Sequence, residues 1–164
     1  MLKIVHRMGD LSFSKLMAVY AEGNRINGLC NYPELSDARQ VFQAEQDFYQ
    51  YLRECFFTVP GAFYAVYTVE NHYISALRME PYRDGLLLEA LETVPEERGK
   101  GYASSLLQDV LREVKDKKVY AHVHKKNIPS LKVHEKCGFV RISECASYID
   151  GSVNGQCCTM LYNP

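Results

Sequence analysis

The run LLLEALETVPEERGKGYASSLLQDVLREV, Leu86 to Val114, constrains the fold more than any other stretch of this chain. Leu86–Val94 is short, apolar and stopped by Pro95, the pattern of a buried strand. Pro95–Lys100 is a turn containing two acids, Arg98 and Gly99. From Gly101 onward, Ala103, Leu106, Leu107, Val110, Leu111 and Val114 recur at the spacing of one helix face. Ser104, Ser105, Gln108, Asp109, Arg112 and Glu113 take the opposite face. A strand that feeds a helix through a tight turn predicts a right-handed parallel crossover, and hence an α/β fold.

The joint between strand and helix carries chemistry. Arg98, Gly99, Lys100, Gly101, Tyr102 and Ala103 bring a glycine-rich turn into a helix N-terminus, where the first amides lack intrahelical partners. The helix dipole adds partial positive charge there, and glycine lets an anion approach the backbone. Such a joint suits a phosphate group. The spacing excludes two common nucleotide loops. Gly-x-x-x-x-Gly-Lys-Ser/Thr is absent, and Ser104 stands where Gly-x-Gly-x-x-Gly needs its third glycine.

Taken in order, Leu2–His6 reads as a strand and Leu11–Tyr20 as a short helix that stops near Gly23-Asn24. Gly23–Leu35, rich in Gly, Asn and Pro, reads as a loop. Asp37–Glu54 has one apolar face and predicts a second helix. Ala62–Val69 and Tyr73–Met79 form a hairpin pattern around Glu70-Asn71-His72. After the central unit come a strand at Val119–His124, a short helix at Asn127–Lys136 and a strand at Phe139–Glu144. Asn127 suits that helix's cap, with Pro129 in its first turn. Asn154-Gly155 signals a hairpin before a closing strand at Gln156–Tyr162. The order β, α, α, β, β, β, α, β, α, β, β predicts one α/β domain over residues 1–164, with a mixed central sheet flanked by helices on both faces.

Charge and cysteine usage exclude several function classes. A net charge of −1 gives no global field for nucleic acid or an anionic membrane. No apolar run approaches a membrane span, and MLKIVHRMGD has no signal core, so the expected location is cytoplasmic. Cys30, Cys55, Cys137, Cys145, Cys157 and Cys158 include no Cys-x-x-Cys pair, and His122-x-His124 has no third ligand, so no metal site is expected.

Arg98-x-x-Gly101-x-Ala103 matches the Arg/Gln-x-x-Gly-x-Gly/Ala signature of GNAT-type N-acetyltransferases. About thirty residues on, Asn127, Ser130, His134, Lys136, Gly138 and Phe139 resemble the family's second motif, with His134 where Tyr is usual. The predicted element order is also the family's. The resemblance therefore implies an acetyl-CoA-dependent N-acetyltransferase with a GNAT-like fold. It implies that Arg98 to Ala103, namely Arg98, Gly99, Lys100, Gly101, Tyr102 and Ala103, grip the pyrophosphate. It implies that the strand at Leu91 and Thr93 pairs with the pantetheine arm and that its main-chain N–H polarises the thioester carbonyl. Asn127 and Ser130 would complete the cofactor site. Lys125, Lys126 and Lys132 flank the expected cofactor edge and are candidates for the 3′-phosphate.

The resemblance leaves the proton-transfer groups open. His134 stands in the place of the residue that protonates the departing thiolate, and imidazole can also donate. An amine of pKa ~10.4 must lose a proton before attack. Some family members carry a Glu five residues before the second-motif Asn, and here that place holds His122. Glu89 and Glu92 are alternatives on the strand before the loop. Strict alternation puts Glu89 with Leu87, Leu91 and Thr93, and Glu92 on the other face. The acceptor is expected to be a small-molecule or peptide amine, shaped by Gly23–Leu35, the second helix and Tyr148–Gly155. The protein would be a monomer or a homodimer. A non-catalytic acyl-CoA sensor is the alternative.

Overall fold

The computed structural model describes residues 1–164. In chain order the elements are β1 (Leu2–Val5), α1 (Phe13–Val19), α2 (Ala21–Asn31), α3 (Asp37–Glu54), β2 (Phe63–Val69), β3 (His72–Tyr82) and β4 (Gly85–Thr93). They continue with α4 (Tyr102–Glu113), β5 (Lys118–His124), α5 (Ile128–Lys136), β6 (Val140–Ser143), β7 (Ala146–Ser147), β8 (Val153–Asn154) and β9 (Cys157–Tyr162). Seven strands make one sheet in the order β1-β2-β3-β4-β5-β9-β6. Only β4 and β5 run parallel, and α4 is the crossover between them. The sheet is mixed, as the sequence pattern predicts.

Helices cover both faces. On one face Leu106, Leu107 and Val110 of α4 pack with Phe63, Leu77, Leu88 and Phe139. On the other, Leu16 of α1 and Leu52 of α3 pack with Phe56, Tyr64 and Val66. The central strands are buried on both sides, which explains their near-continuous apolar runs. No helix is long and apolar enough to cross a membrane.

Two expectations are corrected. Gly23–Leu35 is not a loop: most of it lies in α2. Gly28 and Asn24 are its buried residues, and both serve packing. A Cβ on Gly28 would stand 2.5 Å from the Gln40 carbonyl oxygen, so glycine is what lets α2 press against α3. Asn24 is buried and donates to Met17 Sδ at 3.2 Å. Tertiary contact overrides weak helix propensity here. The second correction is at the C-terminus. Asn154-Gly155 does not close a hairpin onto β9. Val153 and Asn154 pair with β7, and Asn154 Oδ1 accepts the Gln156 amide at 2.8 Å as the chain turns into β9.

The feature that positions the site is a parting of strands. β4 and β5 pair from Gly85–Lys118 to Leu88–Ala121 and no further. β4 then runs on to Thr93 and β5 to His124. The β5-facing backbone edge of Glu89–Thr93 is left without a strand partner.

Candidate functional site

β4 does not alternate strictly. Arg78 pairs with Glu89 and Ala76 with Glu92, so β4 has one more residue than β3 between these pairs. Ala90 absorbs it with a left-handed φ of 53°. This is a β-bulge, which shifts the alternation by one. The parity expected from sequence is therefore corrected. Glu89 and Glu92 share one face, and Leu91 packs with the opposite core. Tyr20, buried on α1's side of the sheet, donates its hydroxyl to the Ala90 carbonyl at 2.7 Å and holds the bulge.

A groove of about 580 Å³ runs along the parted edge. One wall is Leu91, Thr93, Arg98, Gly99, Gly101, Tyr102 and Ala103. The other includes Asn127, Ser130, Val133 and Lys136 of α5 and its cap. Gly99 and Gly101 have φ of +78° and +88°, which explains glycine at both. A Cβ on either would meet no protein atom within 4 Å. Both glycines line the groove, so the loop leaves room for a group lying close to its backbone. Gly101 caps α4 without a side-chain hydrogen bond, leaving the first amides of the helix available. Arg98 is fixed by Nε donating to the Thr93 carbonyl at 3.1 Å and by an ion pair with Glu22 at 2.6 Å.

The remaining predicted cofactor residue, Lys100, does not line the groove; it pairs with Glu97 at 2.9 Å. Lys125 and Lys126 line a separate small recess beside His124. Lys132 does not line the groove, and Lys136 is the lysine that does. Helix geometry alone could have found it, since Lys136 lies near Val133 on α5.

A second cavity, about 420 Å³, opens between α2, α3 and β4. Asn24, Asn27, Asp47, Phe48, Arg78 and Glu92 are among its walls. Glu92 lines both the groove and this cavity. Burial raises the Glu92 carboxyl above its ordinary value; Arg98, 3.7 Å away, works against that, and Glu22 adds to it. Glu89 is tied to Arg78 by a 3.0 Å ion pair.

The two histidines lie elsewhere. His122 lines neither the groove nor the second cavity. Its Nε2 donates to the Ser147 carbonyl at 3.0 Å, and its Nδ1 is 3.2 Å from Thr159 Oγ1. Burial lowers its pKa, partly offset by the Ser147 bond. Thr159 Oγ1 gives its one proton to the Cys145 carbonyl at 2.8 Å, so Nε2 is the ring nitrogen that is held and Nδ1 receives no proton from Thr159. His134 is 2% exposed and does not line the groove, although Ser130 and Val133 beside it do. Its Nδ1 lies 2.8 Å from the Ser130 carbonyl, which can only accept, so Nδ1 carries the proton. Nε2 is buried with no partner. Burial lowers the pKa, against the Ser130 bond, and the neutral ring packs edge-on to Phe139. No group of three His, Cys, Asp or Glu side chains is placed to hold a metal ion.

The model of the acetyltransferase (GNAT) family matches residues 30–139. The chain belongs to the GNAT acetyltransferase family. The match runs from the end of α2 through Phe139 and so includes the bulged strand, the glycine loop and both groove walls. Solved structures share the GNAT fold at low identity. PaiA N-acetyltransferase from Thermoplasma acidophilum, in complex with coenzyme A, is 15% identical with a TM-score of 0.64, over 100% of this chain and 99% of that one. An aminoglycoside 6′-acetyltransferase of type Ii is 12% identical, with a TM-score of 0.64 over 99% and 96%. Escherichia coli ElaA is 15% identical, with a TM-score of 0.62 over 99% of each chain. No curated protein matches by sequence.

Proposed function

We propose that the chain, as a single cytoplasmic domain over residues 1–164, transfers the acetyl group of acetyl-CoA to a primary amine by direct attack in a ternary complex. One observation carries the reading: Glu92 stands where the groove and the α2–α3 cavity meet. The groove fits the co-substrate, since its glycine loop is open to close approach and its helix amides are available. Arg98, Gly99, Gly101, Tyr102 and Ala103 hold the pyrophosphate. Leu91 and Thr93 offer main-chain groups to the pantetheine arm, with Asn127 and Ser130 on the opposite wall. Bound there, acetyl-CoA supplies an acetyl group activated as a thioester. The family neighbour from Thermoplasma acidophilum, described with coenzyme A, supports this choice.

The amine enters from the α2–α3 cavity, as part of a small molecule or a peptide. Glu92 accepts its proton, directly or through one water. A raised carboxyl pKa brings the base closer to that of the amine and eases the transfer. The amine nitrogen then forms its bond to the carbonyl carbon while a main-chain N–H near Leu91–Thr93 polarises the carbonyl oxygen. Collapse breaks the carbon–sulfur bond, and the proton left on the amide nitrogen passes to the departed thiolate through solvent. A thiol with a pKa of ~8.5 leaves tolerably as the thiolate, without an acid. His122 takes no part, because it lines neither the groove nor the α2–α3 cavity.

A non-catalytic acyl-CoA sensor is the second reading. It is favoured by His134, whose proton is held by the Ser130 carbonyl where the family resemblance implies a donor. Incubation with acetyl-CoA and a panel of amines separates the two. Amine-dependent CoA release with acetylated product is the expected result. Thermal stabilisation by acetyl-CoA with no release across the panel would leave the sensor.

A further inference from the structure

The face of β3 and β4 that carries Glu92 holds another recess, of about 440 Å³. Tyr51, Phe56, Leu87 and Tyr148 give it apolar walls, and Glu80 and Glu89 line it as well. Strand register places the acids. The ladder pairs are Ala76 with Glu92, Arg78 with Glu89, and Glu80 with Leu87. Glu92, Glu89 and Glu80 therefore project from one face at successive same-face positions.

Glu80 is 9% exposed, and none of the ion pairs includes it. The neighbouring cation is committed elsewhere: Arg78 is bonded to Glu89 and lies over the rings of Tyr51 at 5.0 Å and Phe56 at 5.8 Å. A buried carboxyl beside a second carboxylate, with no cation of its own, is unfavourable when ionised. The cavity in front of it, walled by aromatic and aliphatic groups, suits the alkyl chain and the charge of an organic cation.

We propose that this recess takes the second cationic group of the acetyl acceptor, an ammonium held by Glu80 while the first amine meets Glu92. The proposal rests on the reading of Glu92 above. Arg78 lines the α2–α3 cavity and its bonded partner Glu89 lines the recess, so their ion pair is the wall shared by the two. Ala76 and Glu80 are four residues apart on β3, about 13 Å at strand rise. The acceptor class is thus an elongated di- or polycation with amines at its ends. Asp150 adds a further acid at the recess wall.

Proton linkage follows from the same geometry. Glu80 faces Arg78 and Glu89 on the sheet, Tyr51 and Cys55 at the end of α3, and Tyr148 and Asp150 on the loop after β7. Burial, and then Glu89, push its pKa up to about 7. A cation needs Glu80 ionised. Diamine binding should therefore release a proton below that value, and affinity should rise with pH until the carboxyl is fully ionised.

The test uses α,ω-diaminoalkanes of increasing length against monoamines of matched length, with the whole chain, wild type and Glu80→Gln. Glu80→Gln is nearly isosteric and removes a buried charge, so folding should be preserved. For wild type, diamines long enough to span the two sites should show a KM about tenfold or more below that of the monoamines. Glu80→Gln should raise the diamine KM by a similar factor and leave kcat and the monoamine KM unchanged. Calorimetry in buffers of different ionisation enthalpy reads the same site without turnover: proton release on diamine binding is expected in wild type and absent in the variant. Acetylation of monoamines and diamines with equal KM, or no diamine heat in wild type, overturns the recess and leaves the transferase reading standing. Diamine binding with proton release but no acetylation of either series overturns the transferase reading and keeps the recess as a cation site.

Discussion

Glu89 and Glu92 point to the same face of the sheet although they stand three positions apart on one strand. Ala90, left-handed between them, supplies the odd residue that makes this possible. The consequence is a division of roles. Glu89 is neutralised by Arg78, whereas Glu92 keeps only a 3.7 Å contact to an Arg98 that is already bonded to Glu22. Glu92 is the carboxylate of the two that is free to take a proton at the junction of groove and cavity.

Glu92→Gln should therefore lower kcat/KM by about 10²–10⁴, the usual worth of a general base, with acetyl-CoA affinity unchanged. The wild-type rate should fall as pH drops through a carboxyl pKa that burial has raised, and this limb should vanish in Glu92→Gln. Steady-state rates against pH, with acetyl-CoA binding measured in parallel, check both. A variant that keeps the wild-type rate and limb would move the base elsewhere. His122→Ala serves as control and should keep the pH profile.

Packing of α2 against α3 depends on a single hydrogen. An alanine Cβ at position 28 would meet the backbone of Gln40 at 2.5 Å, and backbone cannot swing aside. Gly28→Ala should cost about 1–3 kcal/mol in chemical denaturation, the usual penalty of overpacking. Because the α2–α3 cavity is shaped by the same helices, KM for the acceptor should rise more than KM for acetyl-CoA.

That glycine also marks the limit of what the sequence carries. The crossover, the glycine loop and the amphipathic α3 and α4 rest on local periodicity and turn chemistry, and they fold where those signals place them. Gly28 and Asn24 follow another rule. Their value lies in contacts to Gln40 and Met17, residues whose positions the local pattern does not encode, so the same glycines and asparagines read as a loop. The bulge at Ala90 was hidden for a like reason: alanine in αL carries no turn signature, and one unsignalled residue reverses the face of every later side chain on β4. The glycine loop and Asn127 were legible because their backbone chemistry is intrinsic to residue type. The hold of the Ser147 carbonyl on His122 Nε2 depends on the β7 region and was not.

Within the loop, one of two neighbours should matter to CoA binding and the other should not. Gly101 has φ +88° and ψ 0°, and a side chain there would project into the groove. Gly101→Val should cost about 1–2 kcal/mol of stability from the left-handed backbone. It should also weaken CoA binding, read as a loss of thermal stabilisation by CoA. Lys100→Ala removes a charge that faces Glu97 outside the groove and should leave CoA binding within about twofold, since exposed ion pairs contribute ~0–1 kcal/mol. Full CoA affinity in Gly101→Val would displace the phosphate from this loop.

His134 gives the sharpest divergence from the family pattern. Its one proton is on Nδ1, bonded to the Ser130 carbonyl, so Nε2 presents a lone pair and has nothing to donate to a departing thiolate. His134→Phe keeps a planar ring against Phe139 and removes a buried, unpartnered nitrogen. Leaving such a group unsatisfied costs about 1–3 kcal/mol, against which the lost Nδ1 bond is worth ~1 kcal/mol. Stability near neutral pH should therefore be unchanged or slightly higher, and turnover should stay within a few-fold of wild type. The two proteins should separate in acid. The folded protein holds the His134 pKa below its ordinary value by burial, so the unfolded chain binds the proton first. That contribution to stability is complete above the unfolded value of ~6.5 and is lost as pH falls through it toward the folded pKa. Denaturation at a series of pH values should show this acid sensitivity in wild type and less of it in His134→Phe. A large fall in kcat for the variant, with acetyl-CoA binding intact and the acid sensitivity unchanged, would instead restore His134 as the proton donor.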